Sequence, residues 1–148
     1  MKAFHFRLQT SLDIAERREQ MAREEMLALI RQRDNLQLKL ERAEGQLKQM
    51  EQNIRDSVKE NLPLEKLLII INYVPVIREL IDHISAELQA AEQEVEKARS
   101  LLLERVKETR TLTKLREKEW LLYCEECNRE EQKLIDEIAI TRYYRQKL

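Results

Sequence analysis

Glycine is almost missing from this chain, with Gly45 the one example in 148 residues, and there are two prolines, Pro63 and Pro75. These residues punctuate a chain into turns, so their scarcity excludes a fold of many short elements. Aromatic residues make up 5%, too few to dominate the core of a compact globule. Two cysteines, Cys124 and Cys127, cannot build a disulfide scaffold. Neither sign of charge is in excess: 27 Lys and Arg against 28 Asp and Glu leave a net charge of -1. That balance excludes the clustered positive surface that nucleic acid requires. The longest apolar run, Leu67 to Ile77, is interrupted by Asn72. It falls short of the ~20 residues of a membrane-spanning helix, and the first residues lack the apolar stretch of a signal peptide. A cytoplasmic protein without a transmembrane segment is expected.

What is present is charge, at 37%, alternating in sign and interleaved with apolar residues at helical spacing. Such a composition belongs to coiled coils and long helices. In the first half the series Leu8, Leu12, Ala15, Glu19, Ala22, Met26, Leu29, Arg33, Leu36, Leu40, Ala43, Leu47, Met50, Ile54 advances in steps of four and three. Only Glu19 and Arg33 break its apolar character. A repeat of 3.5 residues kept for so long specifies a coiled-coil seam. Gly45 falls off the seam and faces solvent. A second seam follows Pro75: Ile77, Ile81, Ile84, Leu88, Ala91, Val95, Ala98, Leu102. It blurs at Val106, Thr109, Leu112, Thr113 and Leu115, as in a shift of phase. A frame returns at Trp120, Cys124, Cys127, Glu131, Leu134 and Ile138.

Between the seams lies the stretch holding both prolines, Asn61 to Ile77. Proline removes a backbone donor and clashes with the preceding turn, so this stretch is the expected fold-back. The reading is a single all-α domain over 1–148, a long antiparallel two-helix hairpin. Helix one covers about 4–60, the fold-back 61–77, and helix two about 77–146. A turn centred on Ile69 makes the numbers of paired residues sum to about 138. Ile54 then meets Ile84, Leu47 meets Ala91, Arg33 meets Glu104 and Glu19 meets Lys118. Met1 lies near Glu137 on this register, leaving Asp136 to Leu148 as an unpaired overhang with a partner-binding composition.

The chemistry-bearing motifs are sparse. Cys124-Glu125-Glu126-Cys127 matches the CxxC pattern, but it lies deep in a helix among acids, which disfavour thiolate. One such pair also supplies only half of a structural zinc site. Both sulfurs fall on the seam, where packing is their expected role. His5 and His83 have no companions at catalytic or ligand spacing. There is no Gly-rich phosphate loop or Ser/His/Asp arrangement, and two helices cannot supply the concave site catalysis needs. No enzyme activity, cofactor or metal is expected. Exposed apolar residues are more telling. Leu67-Leu68-Ile69-Ile70-Ile71 is apolar on every face and exceeds what one opposing helix can cover. It is expected to meet a small helical cap, a second copy of the chain, or another protein.

Both ends carry a family resemblance. Phe4-His5-Phe6-Arg7-Leu8, then Leu12 and a Glu/Arg/Gln-rich helix, resembles the opening of the flagellar export protein FliJ family. Leu134-Ile135-Asp136-Glu137-Ile138-Ala139, then Arg142, is similar to its closing segment. Leu64-Glu65-Lys66-Leu67, Asn72-Tyr73 and Ile77 to Ile84 resemble its central apolar segment, from which Pro75 departs. The resemblance implies an antiparallel coiled coil similar to the central stalk of rotary ATPases. It implies a non-enzymatic part of the flagellar type III export apparatus that binds the hexameric export ATPase and promotes its assembly and activity. It further implies contacts with the export gate in the inner membrane and with substrate chaperones. Phe4, Phe6, Leu8, Asp136, Glu137, Arg142 and Tyr143 match the ATPase end, and Tyr73, Val76, Leu80 and His83 the gate- and chaperone-facing end. Two other classes fit the residues alone: a general cytosolic chaperone or adaptor with an apolar tip, and a structural coiled coil dimerising in parallel.

Overall fold

A computed structural model describes residues 3–59 and 63–146, with backbone alone for Tyr144 and Gln146. It is all-α: α1 spans Gln9–Lys59 and α2 spans Leu64–Gln146, and the two pack against each other as a helical hairpin. The described residues contain no strand. Contacts divide the chain into two compact units, Met21–Leu102 and Met1–Gln20 with Leu103–Leu148.

The Met21–Leu102 unit follows the heptads closely. Every seam position from Ala22 to Ile54 on α1 and from Ile77 to Leu102 on α2 is buried or half-buried. Ala22, Ala43, Ile77, Ile84 and Ala98 are the most enclosed, so small residues alternate with β-branched ones where the helices meet. Gly45 is exposed, and a Cβ built on it would meet nothing within 4 Å.

The fold-back is shorter than the prolines suggested. Of the expected 61–77 stretch, Asn61 and Leu62 lie outside the described residues, and Leu64 to Ile77 is already helix. Pro63 starts α2: its carbonyl accepts the first helical bonds from the amides of Lys66 at 3.1 Å and Leu67 at 3.4 Å. Glu65 in the first turn complements the positive end of the helix dipole. Pro75, in contrast, sits inside α2 and is exposed. Its missing N–H deprives the Ile71 carbonyl of a helical donor, and because Ile71 is also exposed, water can serve that carbonyl.

Moving the turn moves every pairing. Arg78 Nη2 donates to Glu51 Oε1 at 3.2 Å, a pair whose numbers sum to 129 instead of 138. Ala91 shares a groove with Leu29, Leu36 and Lys39, not with Leu47. Arg33 lines a groove with Glu92, Val95 and Glu96, not with Glu104, and its guanidinium bonds the neighbouring Asp34 at 2.6 Å. These pairs are solvated, so they bias register and add little stability.

In the other unit α1 starts at Gln9, five residues later than the expected position 4. Residues 3–6 are not helical, and the Gln9 amide reaches back to the Phe6 carbonyl at 3.1 Å. Outside the helix, Phe4 packs on Trp120 and Tyr123 while Phe6 is buried. Phe6 is 3% exposed and Leu12 1%. On α2 the seam does not keep one frame: Arg105 and Val106, then Leu112 and Thr113, then Tyr123 and Cys124 are adjacent pairs that are both half-buried. The hydroxyls of Thr109, Thr111 and Thr113 donate to carbonyls four residues back, at 3.1, 2.8 and 2.9 Å. Such bonds loosen and bend a helix, as the expected phase shift requires.

Candidate interaction surfaces

The open end begins with an aromatic cluster. Phe4 meets Trp120 edge-on at 5.0 Å between ring centroids, and Tyr123 at 5.5 Å; Trp120 and Tyr123 are 5.6 Å apart. Trp120, expected on the seam, instead stands half in solvent as the wall against which Phe4 packs. Beside it runs an open groove of about 660 Å³ lined by Ala3, Phe4, His5, Tyr123, Glu126, Cys127 and Glu130. Cys124 and Cys127 are free and half-buried. A hydrogen bond with Cys127, aided by partial loss of solvent, holds the Tyr123 hydroxyl above its usual pKa of 10.0. Cys127 therefore acts here as a hydrogen-bonding group.

Past Cys127 the character of α2 changes. Every residue from Asn128 to Tyr143 is exposed, including Glu131, Leu134 and Ile138 of the expected seam. The overhang thus starts about eight residues before Asp136, as the corrected register demands, since Phe4 already stands opposite Tyr123. The last two residues of the expected Asp136 to Leu148 segment lie outside the described residues. Leu134, Ile135, Ile138, Ile140 and Tyr143 are each more than half exposed. Asp136 accepts from Gln132 Nε2 at 2.9 Å, Thr141 donates to the Glu137 carbonyl at 2.8 Å, and the segment continues as helix through Gln146.

The seven residues matched to the ATPase end therefore divide. Asp136, Glu137, Arg142 and Tyr143 are exposed, Phe4 and Leu8 are half-buried, and Phe6 belongs to the core. Phe6 cannot touch a partner while this end stays folded. Its place is to hold the arm that carries Phe4. Ile135 and Ile140 add to the exposed face; a correct register would have singled out the whole stretch from Asn128.

At the closed end, Tyr73, Val76, Leu80 and His83 advance in steps of three and four and form one exposed stripe on α2. Ile69 extends it by a turn and is 70% exposed, the feature that the residue matching missed. Leu64, Leu68 and Ile71, also exposed, lie on a second stripe that ends at Pro75. His83 Nδ1 lies 3.6 Å from Glu87 Oε1, a solvated contact within the helix. Among the described residues no helix is long and apolar enough to cross a membrane.

No curated protein and no solved structure matches this chain. The family model described as flagellar FliJ protein matches residues 4–148, essentially its whole length. A helical hairpin is what the resemblance of Phe4–Leu8 and Leu134–Ala139 implied, and the match covers both segments. The chain belongs to the flagellar FliJ protein family, whose members are non-catalytic components of the flagellar export apparatus.

Proposed function

We propose that this protein is the stalk of the flagellar export ATPase. Its open end engages the hexameric ATPase and promotes ring assembly and hydrolysis. The observation that carries the proposal is the α2 segment after Cys127, a continuous helix with no opposing α1 and with Leu134, Ile135 and Ile138 in solvent. Isolated helices are marginal in water, so an exposed apolar one of this length is suited to gain stability from a partner. Asp136, Glu137, Arg142 and Tyr143 supply the polar contacts around that face, while Phe4 and Leu8 border it and Phe6 anchors their arm. The closed end, through Tyr73, Val76, Leu80 and His83, contacts the export gate and substrate chaperones. The protein thereby works in the cytoplasm, peripherally at the inner membrane.

The test is removal of residues 128–148. The shortened protein keeps its melting midpoint, because those residues contribute nothing to the paired seams, and it loses stimulation of the purified ATPase. Stimulation that survives removal places the contact elsewhere. Glu at both Ile69 and Val76 is expected to spare stimulation; loss of client protection in the same variant would favour the general chaperone reading of the tip.

A further inference from the structure

The first turns of α2 carry three apolar stripes where a hairpin helix needs one. Leu67, Ile70, Val74 and Ile77 form the seam, the first three half-buried and Ile77 buried. Ile69, Tyr73, Val76 and Leu80 form another at the same four–three spacing, and Leu64, Leu68 and Ile71 a third, spaced roughly 120° apart around the helix. A helix apolar all round is the interior element of a bundle, and α1 supplies only one neighbour.

We infer that the Ile69–Leu80 stripe pairs with the same stripe of a second copy of this chain, in antiparallel sense, giving a two-fold dimer joined at the fold-back ends. Size supports a copy as the occupant. Ile69, Tyr73, Val76 and Leu80 are 70%, 51%, 52% and 45% exposed. Together they offer on the order of 400 Å² of apolar surface, about half the ~800 Å² a standard interface takes from each partner, which suits a weak, reversible pair. Charge supports the direction. With Tyr73 of one copy opposite Val76 of the other, the flanking Glu65 falls near the second copy's His83, and Asn72 near its Glu79, so no like charges meet. A two-fold axis makes each such contact occur twice, which is how a modest patch becomes self-complementary. The same stripe is the proposed gate face, so self-pairing and gate binding exclude one another.

Sedimentation equilibrium of the full chain from about 1 to 200 μM tests this without any partner. A monomer–dimer equilibrium in the micromolar range is expected, and the pair Ile69→Glu with Val76→Glu should weaken it at least tenfold. A chain that stays monomeric throughout overturns the proposal, and so does a dimer that this pair leaves intact. Should that variant misfold, Tyr73→Cys and Val76→Cys proteins, each also carrying Cys124→Ser and Cys127→Ser, provide the second arm. Mixed under mild oxidation they should cross-link to each other more than either does to itself. Preferential self-linking at either position denies the antiparallel pairing. Because neither measurement involves the ATPase, failure here leaves the stalk reading standing, and failure there leaves this one.

Discussion

The two ends of the hairpin expose similar amounts of leucine and isoleucine for opposite reasons. At the closed end α2 has a partner helix but carries more apolar stripes than one helix can bury. At the open end α2 carries an ordinary share of apolar residues but has run past its partner. Exposed apolar surface thus has two origins, surplus of stripes and loss of a neighbour, and composition does not tell them apart. Register does.

The sharpest way to break the comparison is to contrast seam and stripe within one turn. Ile77, 3% exposed, truncated to Ala should cost ~2–5 kcal/mol in urea unfolding, whereas Ile69→Ala should change stability by less than about 0.5 kcal/mol. Equal effects would mean the stripe is already buried in the free protein. Next in size, Pro75→Ala restores the amide facing the Ile71 carbonyl and should raise stability by up to ~3 kcal/mol, read as a higher unfolding midpoint. A neutral result would show that water serves that carbonyl as well as the helix could. Gly45→Ala, with open space around it, should add about 1 kcal/mol, through helix propensity alone.

The smallest effect is at the open end. Cys127→Ala removes the bond that raises the Tyr123 pKa, so spectrophotometric titration should show that tyrosine ionising earlier. The sign follows from linkage. A pKa raised on folding contributes stability that is complete below the unfolded value near 10 and lost as pH climbs through the folded value. The contribution is constant at neutral pH, and wild type and variant should diverge only in alkali.

The seams were legible in the sequence because burial follows a periodicity set by helix geometry alone. Each position of the first seam from Leu8 to Ile54 falls where the spacing puts it. Register was not legible, because it depends on where the turn is, and the two prolines look alike on paper. Pro63 begins a helix, where its missing donor costs nothing, and Pro75 lies on an exposed face inside one, where the loss is tolerable. Treating them as symmetric marks displaced the turn, and with it the Arg33 and Ala91 pairings and the start of the overhang. Trp120 was missed as an arm-binding wall for another reason. The element that packs on it is not helical, and heptads say nothing about non-helical neighbours. The four exposed residues of the closed-end stripe were found through the family resemblance, and Ile69 could have joined them by continuing the same spacing one turn back.

The contact between Phe4 and Trp120 has an optical consequence. Trp120 is the sole tryptophan of the chain, so intrinsic emission reports on one place. Undocking of the first residues would uncover the indole and shift its emission to the red. A ligand seated over the arm would shift it to the blue. The open end of this hairpin therefore carries its own fluorophore, and occupancy there can be followed in real time without a label.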